Sequence, residues 1–442
     1  MEANKNGPVA IRTTNVGREP SHDDQSKANG NGQGGHKLEA GLGQGAGSEG
    51  ANITPHHGSV LEEAKEVFKR WLELPNDDIL DFVFGVVFAN RFGGDPVWGG
   101  IVGASGDTKT EILRCLIGDQ FVQLSGLTAK TLISGLPKEM CGGIEPSLLP
   151  RLNGKILVIK DLTPLISGHA DTRATVLGQL RDAYDGSSAM AFGTGERKEF
   201  KSRFGMLFGV TPVIESCWPI INALGERFIY YRCPGGDSLQ KVRAALANSS
   251  RKKEMRKELQ DAARRVLEQN TAVSIDVPDG IMERIAHLAD FVAIARTPVK
   301  RHGQTEEVSY EPSPEVGTRL GGQLIQLACG IAAARGQQAP DDSIMNLVLH
   351  VARSGIMRKR VSVLAHLTLQ NKPAGTSDVG QAIRQGSDST RRTLEDLWTL
   401  KLVDRAKVAN AHSWQLSELA RERLGIVRLF PTQNDDPQPT PP

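Results

Sequence analysis

The chain lacks paired cysteines. Its five, Cys115, Cys141, Cys217, Cys233 and Cys329, stand singly among 442 residues with no Cys-x-x-Cys spacing. That excludes a disulfide framework and a cysteine zinc site, and single thiols in mostly apolar runs fit a reduced, cytoplasmic protein. The ten histidines form no spaced ligand cluster, and His56-His57 sits beside a polar segment where solvation is expected. Long hydrophobic runs are also missing. The longest, around residues 79–90, is too short to span a bilayer and carries acids, so no membrane partner is expected. Charge of one sign is missing too. Lys and Arg number 53 against 51 Asp and Glu, a formal net charge of +2. No global basic field advertises nucleic acid, and any such contact must come from a local patch. Residues 1–55 have almost no large apolar side chains and are expected to be disordered, as is the Pro-rich acidic tail at 429–442.

The chain is richest in information at one turn. Residues 97–113, Val-Trp-Gly-Gly-Ile-Val-Gly-Ala-Ser-Gly-Asp-Thr-Lys-Thr-Glu-Ile-Leu, pass from an apolar strand-like run through glycines into a helical pattern. This is the layout of a phosphate-binding loop. Backbone amides around Gly103 and Gly106 can wrap phosphates, because glycine permits both the turn and the close approach. Lys109 is expected to reach the β- and γ-phosphates, and Thr110 to hold Mg²⁺. The whole segment Gly103, Ala104, Ser105, Gly106, Asp107, Thr108, Lys109, Thr110 is the expected nucleotide cradle. It follows G-x-x-x-x-G-K-[ST] except at Thr108, where the pattern has glycine. A threonine there must tolerate a backbone conformation better suited to glycine. The bland reading is a Gly-rich strand-to-helix turn that happens to carry a lysine. The strand before it and the helix after it argue for the nucleotide.

Around this turn the apolar pattern alternates. Residues 58–77 and 79–90 read as two helices, the second preceded by capping residues at Pro75-Asn76-Asp77. Residues 121–150 look loop-rich. Residues 155–160, 203–212 and 227–232 are short runs of the kind that form buried parallel strands, with a helix over 172–184 between the first two. Strands alternating with helices give an α/β core over 56–236. From 237 to 355 the pattern reads as helical, a lid interrupted by a polar loop at 298–313. The basic runs within 237–270 read as a solvated helix face rather than a DNA contact. Residues 356–428 change character: helix, short helix, turn at Gly386, longer helix, then a strand pair near 402–416. That order resembles a winged helix-turn-helix.

Several residues are placed to carry chemistry. Asp161 ends the buried run Lys-Ile-Leu-Val-Ile-Lys, where a carboxylate meets a metal. The usual ending is Asp-Glu; here one of the two acids is absent, which bears on fast hydrolysis. Asp182 or Asp185 can compensate, with a solvated helix end as the alternative role. Thr211, at the end of its strand, can sense a γ-phosphate or cap the turn before Pro212. Arg227, in Gly-Glu-Arg-Phe, suits an arginine finger given to a neighbouring subunit, or an ion pair with Glu226 or another local acid. Arg319 opens a helix and can reach phosphates in cis, or remain a surface arginine.

Taken together, the phosphate loop, strand-end acid, strand-end polar residue, Gly-Glu-Arg-Phe and helical lid with an arginine resemble an AAA+ P-loop ATPase over residues 60–355. They are most similar to its minichromosome-maintenance branch and to ATPases carried by phages and mobile elements. The resemblance implies an α/β P-loop core with a helical lid, a winged helix behind it, and a homo-oligomeric ring, hexameric in that family. It implies Mg-ATP held by Lys109, Thr110 and Asp161, Thr211 as sensor, Arg227 as finger and Arg319 as second sensor. A helicase-like ATPase working on DNA is the expected activity. The rivals are a nucleotide-sensing DNA-binding regulator with little turnover, and a protein-remodelling ATPase. If the C-terminal module binds DNA, its longer helix offers Arg391 and Arg392, and the wing offers Lys401 and Arg405. Asp388, Glu395, Asp396 and Asp404 nearly balance them, and winged helices also dock proteins.

Overall fold

The apolar runs that flank the glycine-rich turn assemble into one parallel sheet. The computed structural model describes residues 10–13, 59–106, 108–193, 195–218, 221, 226–269, 274–303, 306–370, 372–408 and 411–430. Asp107, His56-His57, most of the 1–55 tail and the chain beyond residue 430 lie outside the described residues.

The chain begins with β1 (Ala10–Thr13), then two helices, α1 (Val60–Trp71) and α2 (Asp78–Ala89). Ser59 caps α1 by accepting the Glu62 amide at 3.3 Å, and acids in the first turn and bases in the last suit the helix dipole. Leu61, Ala64, Phe68 and Trp71 form its buried stripe. Almost every residue of α2 is buried, which matches its uninterrupted apolar sequence.

Then come β2 (Trp98–Val102), α3 (Lys109–Arg114), β3 (Phe121–Leu124), β4 (Ile156–Ile159), α4 (Ala170–Tyr184), the hairpin β5 (Ser187–Ala191) and β6 (Arg197–Lys201), β7 (Gly205–Val210) and β8 (Phe228–Arg232). Five of these strands make the parallel sheet, in the order β3-β4-β7-β2-β8. Side chains alternate across it. Trp98, Leu157, Phe208 and Tyr230 face α4, while Ile101, Val158, Leu207 and Tyr231 share a core with α2 and the later helices. This mixed α/β arrangement is compatible with an α/β NTPase core.

Residues 237–355 are not a separate cap. They form α5 (Ser238–Ala247), α6 (Lys252–Leu267), β9 (Ser274–Val277), α7 (Asp279–Arg296), α8 (Thr318–Arg335) and α9 (Asp342–Ser354). All but α5 bury residues in the same core as α1 and α2. The crossing of α8 over α2 is close: a Cβ on Gly330 would stand 2.1 Å from the Gly85 carbonyl oxygen, so glycine is required there. Asp81, fully buried on α2, binds Lys65 of α1 and Arg335 of α8, each at 2.7 Å. That pairing fixes three helices to one another at the cost of burying charge.

Three expectations are corrected. Part of the 1–55 tail is ordered, because β1 pairs in parallel with β9, itself a strand inside a stretch read as helical. The loop-rich reading of 121–150 overlooked the edge strand β3.

The C-terminal residues form α10 (Arg358–Leu369), β10 (Ala374–Gly375), α11 (Thr376–Ala382), α12 (Ser387–Thr399), β11 (Val403–Val408), β12 (Ala411–Leu416) and α13 (Glu418–Val427). The three strands are antiparallel in the order β10-β12-β11. Leu394, Leu397 and Trp414 continue the core of the helical layer. Among the described residues no helix is long and apolar enough to cross a membrane.

Candidate functional site at the carboxyl edge of the sheet

In a parallel sheet all strands end on one edge, and ligands collect where neighbouring connections diverge. Here β2 lies between β7 and β8, while its continuation crosses to β3 at the far edge. The loops leaving β2, β4 and β7 therefore exit side by side. Backbone bonds hold the exits in place: Gly103 donates to the Val210 carbonyl at 3.1 Å, and Leu162 to that of Gly209 at 2.8 Å.

A cavity of about 520 Å³ opens there. It brings together Ser105, Gly106, Thr108, Lys109, Thr110, Asp161 and Thr211, all singled out from the sequence. Gly106 takes φ +79°, where a side chain would be strained. Among the described residues nothing accepts the backbone amides of Ala104, Ser105 or Gly106, and all three residues are exposed. Amides left without an acceptor at such a turn are available to an anion. Lys109 is buried, and its ammonium donates to the carbonyls of Gly103 at 2.9 Å and Ala104 at 2.5 Å, folded back on its own loop.

Thr108 corrects an expectation. It adopts φ −65° and ψ −8°, ordinary right-handed geometry, so the position does not need glycine. The departure from the pattern costs no backbone strain.

Asp161 is exposed, and its Oδ1 accepts the Thr163 amide at 2.9 Å in a turn that sets the carboxylate at the head of β4. The Thr163 hydroxyl receives the Thr211 amide at 3.1 Å and donates to the Thr211 hydroxyl at 3.3 Å. Thr163 thus ties the β4 exit to the β7 exit, a role the sequence reading missed. The far wall was also missed: Glu73 follows α1, Lys241 and Asn248 come with α5, and Lys252 opens α6. Lysines 109, 160, 241 and 252 face carboxylates 73, 111 and 161. Burial alone would raise the Glu111 carboxyl, but the forked contact from Arg256 at 2.8 and 2.9 Å outweighs it and holds the group below its usual range. Glu111 is thereby committed as an anion, and among the described residues Asp161 and Glu73 are the carboxylates left lining the cavity.

Other expected participants lie elsewhere. Asp182 pairs with Arg181 at 3.0 Å, and Asp185 with Arg227 at 2.8 Å; neither lines the cavity, so neither replaces the absent second acid. Arg227 precedes β8 and stands on the amino edge of the sheet, across from Lys109. Its guanidinium is buried against Asp185 and the Tyr184 ring, and its carbonyl accepts Gln323 of α8 at 2.6 Å. Arg319 is on that same edge, 3.7 Å from Glu315. Its expected reach to phosphates in cis is therefore corrected: α8 begins at the wrong end of the strands. Nearby, Glu226 is buried beside Tyr230 and Arg296. Burial pushes its carboxyl up to about 7.

The basic residues of the C-terminal module are largely engaged. Arg391 pairs with Glu395 at 3.0 Å on its own helix. Arg301 and Glu306 reach side chains of α12, and Glu311 reaches the turn after it. Arg301 reaches Asp396 at 2.7 Å and Glu395 at 3.2 Å, Glu306 binds Arg392, and Glu311 lies 3.6 Å from Lys401. Arg405 instead stacks on the half-exposed Trp398 ring at 3.9 Å.

No family model matches this chain. No curated protein matches it either.

Proposed function

We propose that this protein is an ATP-binding ATPase of the AAA+ type whose subunits assemble into a ring and whose work is on DNA. The observation that carries the reading is the convergence of Lys109, Thr110, Asp161 and Thr211 on one cavity at the carboxyl ends of three adjacent strands. The amides of Ala104 to Gly106, which have no acceptor among the described residues, and the nearby lysines fit a polyphosphate. Lys109 would exchange its own loop carbonyls for phosphate oxygens, and Thr110 and Asp161 would hold Mg²⁺. The metal, when bound, neutralises charge on the β- and γ-phosphates. Thr211, oriented by Thr163, would hydrogen-bond the terminal phosphate. Arg227 and Arg319 stand on the edge opposite the loop, a placement that suits a neighbouring subunit in a head-to-tail ring better than the same chain. The C-terminal module is read as a winged helix-turn-helix with α12 as its recognition helix.

Calorimetry with Mg-ATP tests the premise. Saturable heat is expected with the native chain and none with Lys109→Ala; equal affinity in the two chains would refute the reading. A steady-state ATPase assay with single-stranded and duplex DNA tests the rest, and DNA-stimulated turnover is expected.

Two observations favour a second reading, a nucleotide-sensing DNA-binding regulator with little turnover. The β4 exit carries one acid rather than two, and Arg301 and Glu306 already engage side chains of α12. ATP binding without turnover, with DNA affinity that changes on adding nucleotide, is its signature.

A further inference from the structure

A second cavity, of about 650 Å³, lies where α7 and α9 meet the turn after α13. Its wall is unusual in charge. Arg284, Arg353 and Arg428 face it with a single carboxylate, Asp342. That carboxylate is already engaged, 2.7 Å from Arg284. Among the described residues neither Arg353 nor Arg428 has an ion-pair partner.

Arg353 is the telling group, because it is half-buried and its one polar partner among the described residues is an imidazole. The Arg353 Nη2 lies 3.4 Å from His350 Nδ1. The His350 Nε2 lies 2.9 Å from the Arg232 carbonyl, an acceptor only, so the ring proton sits on Nε2 and Nδ1 offers its lone pair. Burial pulls the imidazole below its ordinary value and keeps it neutral. A neutral histidine orients the guanidinium without cancelling its charge. Burial also draws the Arg353 guanidinium down from its usual value, as expected of a cation held out of water with no anion beside it. Arg353 stands in the last turn of α9, where the helix C-terminus favours a cation without pairing it with an ion.

We propose that this cavity binds a small phosphate ester, with the phosphate among Arg284, Arg353 and Arg428 and the organic group against Leu349, Ile426 and Leu429. Three guanidinium groups against one carboxylate leave two positive charges, which match a phosphate dianion and exceed what a carboxylate supplies. The volume is in the range that holds a small organic ligand, and an apolar wall beside a few convergent polar groups is how such sites are built. The site also touches the sheet. His350 packs on Tyr231 at 4.8 Å and bonds the Arg232 carbonyl, both at the exit of β8, and Cys233 just beyond donates to the Val102 carbonyl at the start of the glycine-rich turn.

The test is titration of the full chain with phenyl phosphate, followed by calorimetry and thermal melting. Saturable binding is expected, at least about tenfold tighter than phenol and tighter than inorganic phosphate, since each charge-assisted contact is worth about tenfold or more. Arg353→Met should weaken it about tenfold or more, with Arg353→Lys recovering part. Arg428→Ala, at an exposed side chain outside the core, should weaken it similarly and decides the matter if Arg353→Met does not fold. Lys109→Ala should leave it unchanged. No saturable binding, equal affinity in the Arg428→Ala chain, or loss of binding in Lys109→Ala would each overturn the proposal. Equal affinity for inorganic phosphate would overturn the ester assignment.

Discussion

The two edges of the parallel sheet carry side chains of the same kinds and engage them differently. At the carboxyl edge, Lys109, Asp161 and Thr211 line an open cavity, where the Lys109 ammonium donates to two loop carbonyls, Asp161 accepts the Thr163 amide and Thr211 meets the Thr163 hydroxyl. At the amino edge, Arg227 and Glu226 are buried, and Arg227 meets Asp185, Tyr184 and Gln323 of its own chain. Sequence alone gave both edges the same standing as candidate machinery. The difference lies in where each side chain stands. One that lines an open cavity can meet a ligand in place, whereas Arg227, clasped by a carboxylate and packed on an aromatic ring, must break structure to act elsewhere.

The comparison is most exposed to failure at Arg227. If the arginine serves a neighbouring subunit, Arg227→Met should leave Mg-ATP affinity intact and reduce turnover by about a thousandfold, the scale of an arginine supplied in trans. It should also cost about 2 kcal/mol of stability through the Asp185 contact. Mixing settles which edge does what. Arg227→Met subunits keep the phosphate loop and Lys109→Ala subunits keep the arginine, so a mixture of the two inactive chains should recover turnover. If the mixture stays inactive while both chains fold and assemble, Arg227 is structural and the two edges do not meet between subunits.

Glu226 sharpens the contrast by pH. Burial raises its carboxyl from an ordinary 4.5 to about 7, so the fold favours the protonated form. Its contribution is complete below pH 4.5 and declines as pH rises toward 7, by an amount on the order of 3 kcal/mol if the group titrates independently. Glu226→Gln should flatten that decline, as followed by denaturant melts between pH 5 and pH 8. A native chain whose stability does not fall across that window would show Glu226 to be paired as an anion, with Arg296 the nearest cation to hold it.

The carboxyl edge was legible because its signals are local. The loop spacing lies within eight consecutive residues, and Asp161 and Thr211 are marked by apolar runs that end in a polar side chain. The misread features depend on distance or on weak periodicity. Arg227 and Asp185 are 42 residues apart, and nothing in either neighbourhood announces the other. Thr163 meets Thr211 across 48 residues of sequence, and Lys241 reaches the cavity only because the chain folds back over the sheet. The hairpin β5–β6 alternates one buried residue with exposed ones and carries no apolar run. The pattern asks for glycine at Thr108, but the backbone is already right-handed at that residue, so glycine's freedom is not used there.

The smallest effect concerns the contacts on α12, which resemble the amino edge in being engaged and the carboxyl edge in being breakable. Glu306 and Glu311 meet Arg392 and Lys401 at exposed positions, where ion pairs are worth under about 1 kcal/mol each and weaken with salt. Arg301 is more deeply seated, between Asp396 and Glu395. If α12 is the DNA-facing helix, Glu306 and Glu311 compete with phosphates for Arg392 on it and Lys401 just beyond it. Glu306→Gln with Glu311→Gln should then raise duplex affinity a few-fold at low salt, read by fluorescence anisotropy, with no change in melting temperature beyond a degree or two. Arg391→Ala should lower affinity by a similar factor at every sequence tested, as a phosphate contact would. Unchanged affinity in the Gln variants would mean that the segment covers a surface DNA does not use, and would leave α12 as part of the packing between the helical layer and the C-terminal module.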